Sequence, residues 1–160
     1  MEATSSTQAM LSFENSSNSS IKDFVSFNLY GIDGKIAAID AEVDFGSGVN
    51  NMNLGPLRTE INKYSGQTGI TAYLTDDNQA ILLKTRQGFD IIIEDFNLKI
   101  DTNSVSMYIN EMKSNGEISP ISLKLDQKSS AADANDSARI FGEVVLTSNK
   151  HFIVNSSETN

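Results

Sequence analysis

The sequence has no cysteine, no tryptophan and a single histidine. Without cysteine, disulfide bonds and thiolate metal ligands are excluded. Aromatic residues make up only 8% of the chain, which indicates a modest core. The lone histidine, His151, would need a nucleophile and an orienting acid beside it to act as a general base. The sequence argues for neither, so we interpret His151 as an exposed turn residue.

Basic residues are also scarce, because 12 Lys and Arg against 21 Asp and Glu give a formal net charge of −9. Such a surface repels phosphate backbones and anionic lipids, so we expect no nucleic acid and no membrane as partner. No stretch is apolar enough to span a bilayer. The segment from Met1 to Ser6 has neither a basic region nor an apolar run, so it predicts no cleavable signal peptide.

The 160 residues are enough for one compact core. Residues 1–20 carry a Ser- and Asn-rich cluster and little to bury, which predicts a flexible lead-in. We expect a single globular domain over residues 21–155 and a disordered tail over residues 156–160. Within the domain, residues 126–138 are polar and small, and they predict a mobile loop.

Alternating apolar residues predict β-strands through much of the domain. The first run, residues 25–29, precedes the turn signal Asp33-Gly34, which predicts a hairpin with a returning strand over residues 36–43. Later runs lie at residues 70–74, 81–85, 89–93, 121–125 and 144–146, and the last is expected to turn at 148–150 and pair with 152–154.

One helix is predicted after Pro56, which suits a first helical position because it has no N–H to leave unpaired. Leu57, Ile61 and Tyr64 form its apolar stripe, and Gly66 is expected to end it in a left-handed conformation. Leu57 and Ile61 are expected to pack against a sheet face made from the three strands that follow.

Residues 105–112 fit two patterns, because their apolar residues recur at helical spacing and also alternate as in a strand. Asn115-Gly116 just beyond is a hairpin-turn signal, so we choose the strand. The whole pattern predicts an α+β domain, mostly antiparallel β-hairpins with one clear short helix packed on a sheet.

A compound motif runs through the helix and the strands after it. It comprises Ile61-Asn62, then Thr68-Gly69-Ile70-Thr71-Ala72, then Ile81 to Thr85 and Gly88 to Ile93. In this order it resembles the repeat, named for its Ile-Asn pair, of the central regions of bacterial flagellins and hook-associated proteins. A second likeness, in residues 142–148 and 152–154, is similar to a hairpin near the end of flagellin variable domains.

The resemblance implies a surface-exposed structural domain of a flagellar filament protein, extracellular on the flagellum and exported by a type III apparatus. It implies no enzymatic role, no cofactor and no metal. Partners would be other subunits of the same filament, through parts of the parent protein absent from this sequence, and possible surface glycans or host receptors. The long helical heptads of whole flagellins are absent from the sequence, and the hook–filament junction protein fits the pattern equally.

The motif residues also have a physical interpretation without the family: Ile61, Asn62, Thr68, Gly69, Ala72 and Gly88 are scaffold. Ala72 is small and lets a helix approach a strand closely. Gly69 and Gly88 suit turns that require positive φ. The Asn62 amide either bonds to nearby backbone after the helix or faces solvent.

Two acidic segments carry residue types that occur at catalytic or metal sites. Asp76-Asp77-Asn78 carries oxygen ligands for calcium but lacks an EF-hand spacing, so a solvated turn is favoured. Asp90, Glu94 and Asp95 could supply paired carboxylates for glycoside hydrolysis, but adjacent strand residues point to opposite faces. The alternative function is an extracellular carbohydrate- or host-binding module, such as an adhesin or a phage tail-fibre domain.

Overall fold

The computed structural model describes residues 2–47, 51–85, 87–100, 104–126 and 135–147. They form two antiparallel sheets and a short helical segment. The ten strands and two helices are β1 (Glu2–Asn15), β2 (Lys22–Tyr30), β3 (Ile36–Asp44), α1 (Gly55–Lys63), α2 (Ser65–Thr68), β4 (Thr71–Leu74), β5 (Ala80–Thr85), β6 (Ile91–Leu98), β7 (Val105–Met112), β8 (Ile118–Leu125), β9 (Ala138–Ile140) and β10 (Glu143–Thr147). Neither helix is long and apolar enough to cross a membrane.

The larger sheet has the order β4-β5-β1-β7-β8, with β10 also paired to β1, and the smaller sheet has the order β3-β2-β6-β9. Buried side chains of both sheets and of α1 belong to one hydrophobic cluster, so the sheets enclose a common core. Phe13 of β1 and Phe45, just after β3, meet in it with ring centroids 5.3 Å apart. The fold of the described residues is therefore mostly β with a small helical part, which matches the α+β prediction only loosely.

The flexible lead-in predicted for residues 1–20 is wrong for residues 2–15, which form β1 at the centre of the larger sheet. This strand pairs with β5, β7 and β10. Its alternate residues Ala9, Leu11 and Phe13 are buried in the core. The Ser- and Asn-rich cluster that suggested disorder, residues 16–20, follows β1, whereas the Ser and Thr residues within β1 have their backbone groups paired in the sheet.

The first predicted hairpin is confirmed, since β2 and β3 pair from Lys22↔Asp44 to Tyr30↔Ile36. Asp33 and Gly34 both have positive φ, 57° and 69°, at the turn between them. Gly tolerates this region without a Cβ penalty, and Asp is one of the few other residues that visit it readily. The turn signal in the sequence therefore corresponds to the backbone conformation it predicts.

The helix begins as predicted, with Pro56 in its first turn and Leu57 and Ile61 fully buried. The prediction that Gly66 ends it is wrong. The chain continues through α2, and the left-handed residue is Gly69, with φ 71°. The N–H of Gly69 bonds to the carbonyl of Ser65, which satisfies a carbonyl that the helix end would otherwise leave unpaired.

The prediction that one sheet lies under the helix is also wrong. Strand β5 lies in the larger sheet, whereas β6 lies in the smaller one beside β2. The helix packs against β3 and β4. The sequence could not show this, because β5 takes β1 as its second neighbour and β1 itself was hidden in the apparent lead-in.

Strand β6 contains a β-bulge. Ser26 pairs with Asn97 and Asn28 pairs with Glu94, so Asp95 and Phe96 together oppose one residue of β2. Asp95 has a φ of 58°, in the left-handed region. The extra residue shifts the alternation, so that buried residues are odd-numbered before the bulge (Ile91, Ile93) and even-numbered after it (Phe96, Leu98).

The choice of a strand for residues 105–112 is confirmed, because β7 forms a hairpin with β8. Gly116 in its turn has a φ of 85°. Most of the predicted loop at 126–138 and the predicted return strand at 152–154 lie outside the described residues, as do the tail and His151. Within the described part, β10 pairs with β1.

Candidate functional surface

Asn62 and Ala72 form the centre of the predicted motif. The side-chain Nδ2 of Asn62 donates to the carbonyl of Ala72 at 2.8 Å, and the N–H of Ala72 donates to Oδ1 of Asn62 at 2.8 Å. Strand β4 is an edge strand, and these Ala72 groups point away from β5. The amide thus takes the place of a further strand residue, and of the two alternatives left open by the sequence the structure shows the bond to nearby backbone.

Thr68 and Gly69 lie at the end of α2, close to that pair. Thr68 is fully buried, and its hydroxyl donates to the carbonyl of Tyr64 at 3.0 Å and accepts the N–H of Ile70 at 3.2 Å. A Cβ on Gly69 would lie 2.8 Å from the ring of Phe89. Both residues therefore hold the turn from the helix into β4, and both are needed for close packing there.

Gly88, the remaining motif residue, lies in a different place, where the chain passes from one sheet to the other. Its φ is 65°, and a Cβ there would lie 2.6 Å from Cβ of Ser5. A Cβ on Gly142 would overlap the carbonyl of Gly88. The segment joining β5 to β6 and the segment joining β9 to β10 therefore run in close contact, and we call this place the crossover corner.

Polar contacts hold the crossover corner. The hydroxyl of Thr7 donates to the carbonyl of Phe89 at 2.7 Å. Asp90 accepts the guanidinium of Arg139 on one oxygen, with Nε at 2.8 Å, and the N–H of Gly142 on the other at 3.1 Å. The bond from Arg139, together with that from Gly142, holds the pKa of Asp90 below its usual range although partial burial opposes this. Asp90 thus stays ionised as a structural anchor.

The other acidic residues considered for chemistry have separate partners. Asp95 accepts the side-chain N–H of Asn28 at 3.0 Å. Glu94 accepts a hydrogen bond from Tyr30, and this bond raises the pKa of the Tyr30 phenol. Asp90, Glu94 and Asp95 therefore take part in different local interactions.

Asp77 and Asn78, for which a solvated turn was favoured over a calcium site, lie in a tight turn. Asp77 accepts the hydroxyl of Thr75 at 2.6 Å and the N–H of Gln79 at 3.1 Å. The Thr75 bond is the main reason that the pKa of Asp77 is lowered. Asn78 has a φ of 58° in the same turn. Among the described residues, no group of three or more His, Asp and Glu side chains is placed to hold a metal ion.

An exposed apolar surface was missed by the sequence analysis. Ile109 of β7 is fully buried, and its partner Leu123 of β8 points to the same side but is 40% exposed. Ile121 is 69% exposed and Phe141 is 65% exposed. Together with Arg139 and Ile140 these residues line a shallow groove between β8 and the β9 end of the smaller sheet. Alternation predicts which face a residue is on, but not whether the opposite sheet covers it.

Comparisons with known proteins show little similarity. No protein-family model and no curated protein sequence matches the chain. Among solved structures, the chain is similar to the flagellar cap protein FliD of Escherichia coli, in a crystal structure of its D1-D2-D3 domains, with a TM-score of 0.29 and 8% identity. The match covers 92% of this chain and 50% of the FliD chain. A TM-score of 0.29 is too low to assign a shared fold.

Proposed function

We propose that the chain is a non-enzymatic, surface-exposed structural domain of a bacterial flagellar filament protein. The observation that carries the proposal is the packing of the Ile-Asn motif. Ile61 is buried, and Asn62 binds both backbone groups of Ala72, so the motif connects the helix to the edge of the larger sheet. Thr68 and Gly69 hold the turn between them. The part of the pattern from Ile61 to Ala72 thus forms one packed unit, whereas Gly88 lies at the crossover corner.

The path of the chain supports a place within a longer protein. Strands β1 and β10 run antiparallel as direct neighbours, and Glu2 pairs with Thr147. The first and last described residues therefore lie at the same end of the larger sheet. Domains whose two ends lie close together are the ones that can be inserted into another protein without distorting it. This geometry suits an outward-facing domain carried by a filament subunit.

The surface supports an external structural role as well. The net charge of −9 favours solubility and disfavours association with nucleic acid or anionic lipid. The exposed apolar residues Ile121, Leu123 and Phe141 form the kind of patch that marks protein contacts, and neighbouring parts of the same filament are the proposed partners. The proposed location is extracellular, on the flagellum. The proposed function requires no cofactor.

Immunogold electron microscopy of the bacterium that encodes the chain tests the proposal. An antibody raised against the purified domain should decorate flagellar filaments along their length. A mutant lacking the parent gene, stained in the same way, is the control. Label confined to the cell envelope or to fibres other than flagella would contradict the proposal and favour the alternative, a carbohydrate- or host-binding module.

A further inference from the structure

The tip of the β7–β8 hairpin carries Asn115 followed by Gly116, both exposed. The N–H of Gly116 donates to the carbonyl of Lys113 at 2.9 Å, and the N–H of Lys113 donates to the carbonyl of Glu117 at 2.9 Å. Apart from Gly116 itself and its two chain neighbours, no described residue places a heavy atom within 4 Å of where a Cβ on Gly116 would lie. The backbone on the C-terminal side of Asn115 is therefore open to solvent.

We propose that Asn115 is a site of spontaneous deamidation. The backbone nitrogen of Gly116 attacks Cγ of Asn115, and a new C–N bond closes a five-membered succinimide ring. The bond from Cγ to the side-chain nitrogen breaks, and that nitrogen leaves as ammonia with the proton from Gly116. Water then opens the ring at either carbonyl and yields aspartate or isoaspartate. The balance requires water and no oxidant or reductant.

Two features of the turn favour this reaction. The side-chain carbonyl of Asn115 accepts the N–H of Glu117 at 2.9 Å, which polarises Cγ and stabilises the negative charge that develops on the oxygen during attack. Gly116 has no side chain to obstruct ring closure. The hydrogen bond from Gly116 to Lys113 opposes attack, but it lies in an exposed hairpin tip, where backbone bonds open most readily.

The other asparagines of the chain lack this combination, because Asn115 alone is followed by glycine. Several are also held by their amides. Asn15 is buried and donates to the carbonyls of Ser19 and Gly46. Asn62 is bound on both sides by Ala72. We therefore expect Asn115 to react before any other asparagine.

Deamidation would change the contacts of the hairpin tip. The N–H of Ser114 donates to Oε2 of Glu143 at 2.9 Å and so connects the tip to the start of β10. Glu117 pairs with Lys113 at 3.1 Å in the same turn. A new carboxylate at position 115 adds a third negative charge beside Glu117 and Glu143. The link between the tip and β10 should weaken as a result.

Peptide mass spectrometry of the folded protein, aged in mildly alkaline buffer, tests the proposal. Trypsin cutting after Lys113 and Lys124 releases residues 114–124, which contain a single asparagine. We expect this peptide to show the mass change of an amide-to-acid conversion first, as a mixture of aspartate and isoaspartate. Asn115→Gln is the matched control and should stay unmodified. Conversion of another asparagine while residues 114–124 stay intact would overturn the proposal.

A second experiment examines the consequence. Amide hydrogen exchange at Ser114 should be faster in Asn115→Asp than in Asn115→Gln, because only the former adds charge beside Glu143. Equal exchange rates would refute the proposed effect on the link to β10. Ageing the protein in urea supplies the unfolded reference. If the unfolded chain converts while the folded one never does, the turn protects Asn115 and the proposal is wrong.

Discussion

At the scale of single residues, the side-chain amide of Asn62 makes the hydrogen bonds that a neighbouring strand would make. Asn62 pairs with both backbone groups of Ala72, which faces the open edge of β4. A helix residue is thereby bound to a sheet edge that would otherwise present unpaired groups. The sequence indicates that the Asn62 amide either bonds to backbone or faces solvent, but its partner depends on where β4 lies.

Replacing Asn62 by Ala should lower the free energy of unfolding by about 1–3 kcal/mol, because it leaves a partly buried N–H and carbonyl unpaired. Urea titration of both proteins measures the difference. Thr59→Ala, at an exposed position of the same helix, is the control and should change stability by less than about 0.5 kcal/mol. Equal effects of the two substitutions would show that the bonds to Ala72 contribute little.

Replacing Asp90 by Asn should make the free energy of unfolding change less with pH in the acid range. The pKa of Asp90 is lowered by Arg139 first and by Gly142 as well. Its ionised form therefore stabilises the fold above the unfolded value of about 3.9, and this contribution disappears as pH falls through the lower folded pKa. Because Arg139 is 57% exposed, we expect no more than about 1 kcal/mol at neutral pH.

Urea titrations across this pH range, with Arg139→Gln and the double variant, check that prediction. The two single changes should be less than additive at neutral pH and should become additive in strong acid. Additive effects at every pH would mean that the ion pair does not stabilise the crossover corner.

Replacing Asp95 by Val should destabilise the protein more than replacing it by Gly. At a φ of 58° a side chain with a branched Cβ meets the backbone, at a cost of about 1–2 kcal/mol. Both substitutions lose the bond to Asn28, so the comparison isolates the backbone conformation. Thermal and urea unfolding of the two variants give the difference. If Val were tolerated as well as Gly, the bulge would not require the left-handed conformation.

At the scale of elements, β1 decides the architecture. It pairs with three other strands and lies between β5 and β7 in the larger sheet. Its residues 4–7 are all Ser or Thr and a Ser- and Asn-rich cluster follows it, so composition indicates disorder although Ala9, Leu11 and Phe13 are buried. Long-range pairing, rather than local propensity, makes this segment a strand.

Removing residues 1–20 should therefore abolish cooperative folding, because β5 and β7 lose the strand between them. We expect a two-dimensional NMR spectrum with collapsed amide dispersion and no sigmoidal urea transition. Removing residues 156–160 serves as the control and should leave both measurements unchanged. A well-dispersed spectrum from the shortened chain would mean that the core forms without β1.

At the scale of the whole molecule, two sheets of unequal size share one core. The larger sheet extends beyond the smaller one, which leaves Leu123 and Ile121 exposed on its inner side. The chain passes between the sheets at the crossover corner, where a side chain on Gly142 would overlap the carbonyl of Gly88 and a side chain on Gly88 would clash with Ser5. The paired strands β1 and β10 bring Glu2 and Thr147, the first and last described residues, next to each other.

Local signals in the sequence determined several parts of this protein by themselves. Alternation and turn residues were sufficient for the β2–β3 and β7–β8 hairpins, and Pro56 with its apolar stripe was sufficient for the start of α1. These features depend on residues close together in the sequence and on the regular spacing of apolar residues in helices and strands, both of which can be seen in the sequence itself.

Tertiary structure alone decided the rest. It set the partners of β1, the separation of β5 and β6 into different sheets, and the left-handed residue at Gly69 instead of Gly66. It also decided which apolar face stays uncovered. The physical reason is that strand pairing and burial are contacts between distant parts of the chain, and a strand's own residues show its two faces but not its neighbours.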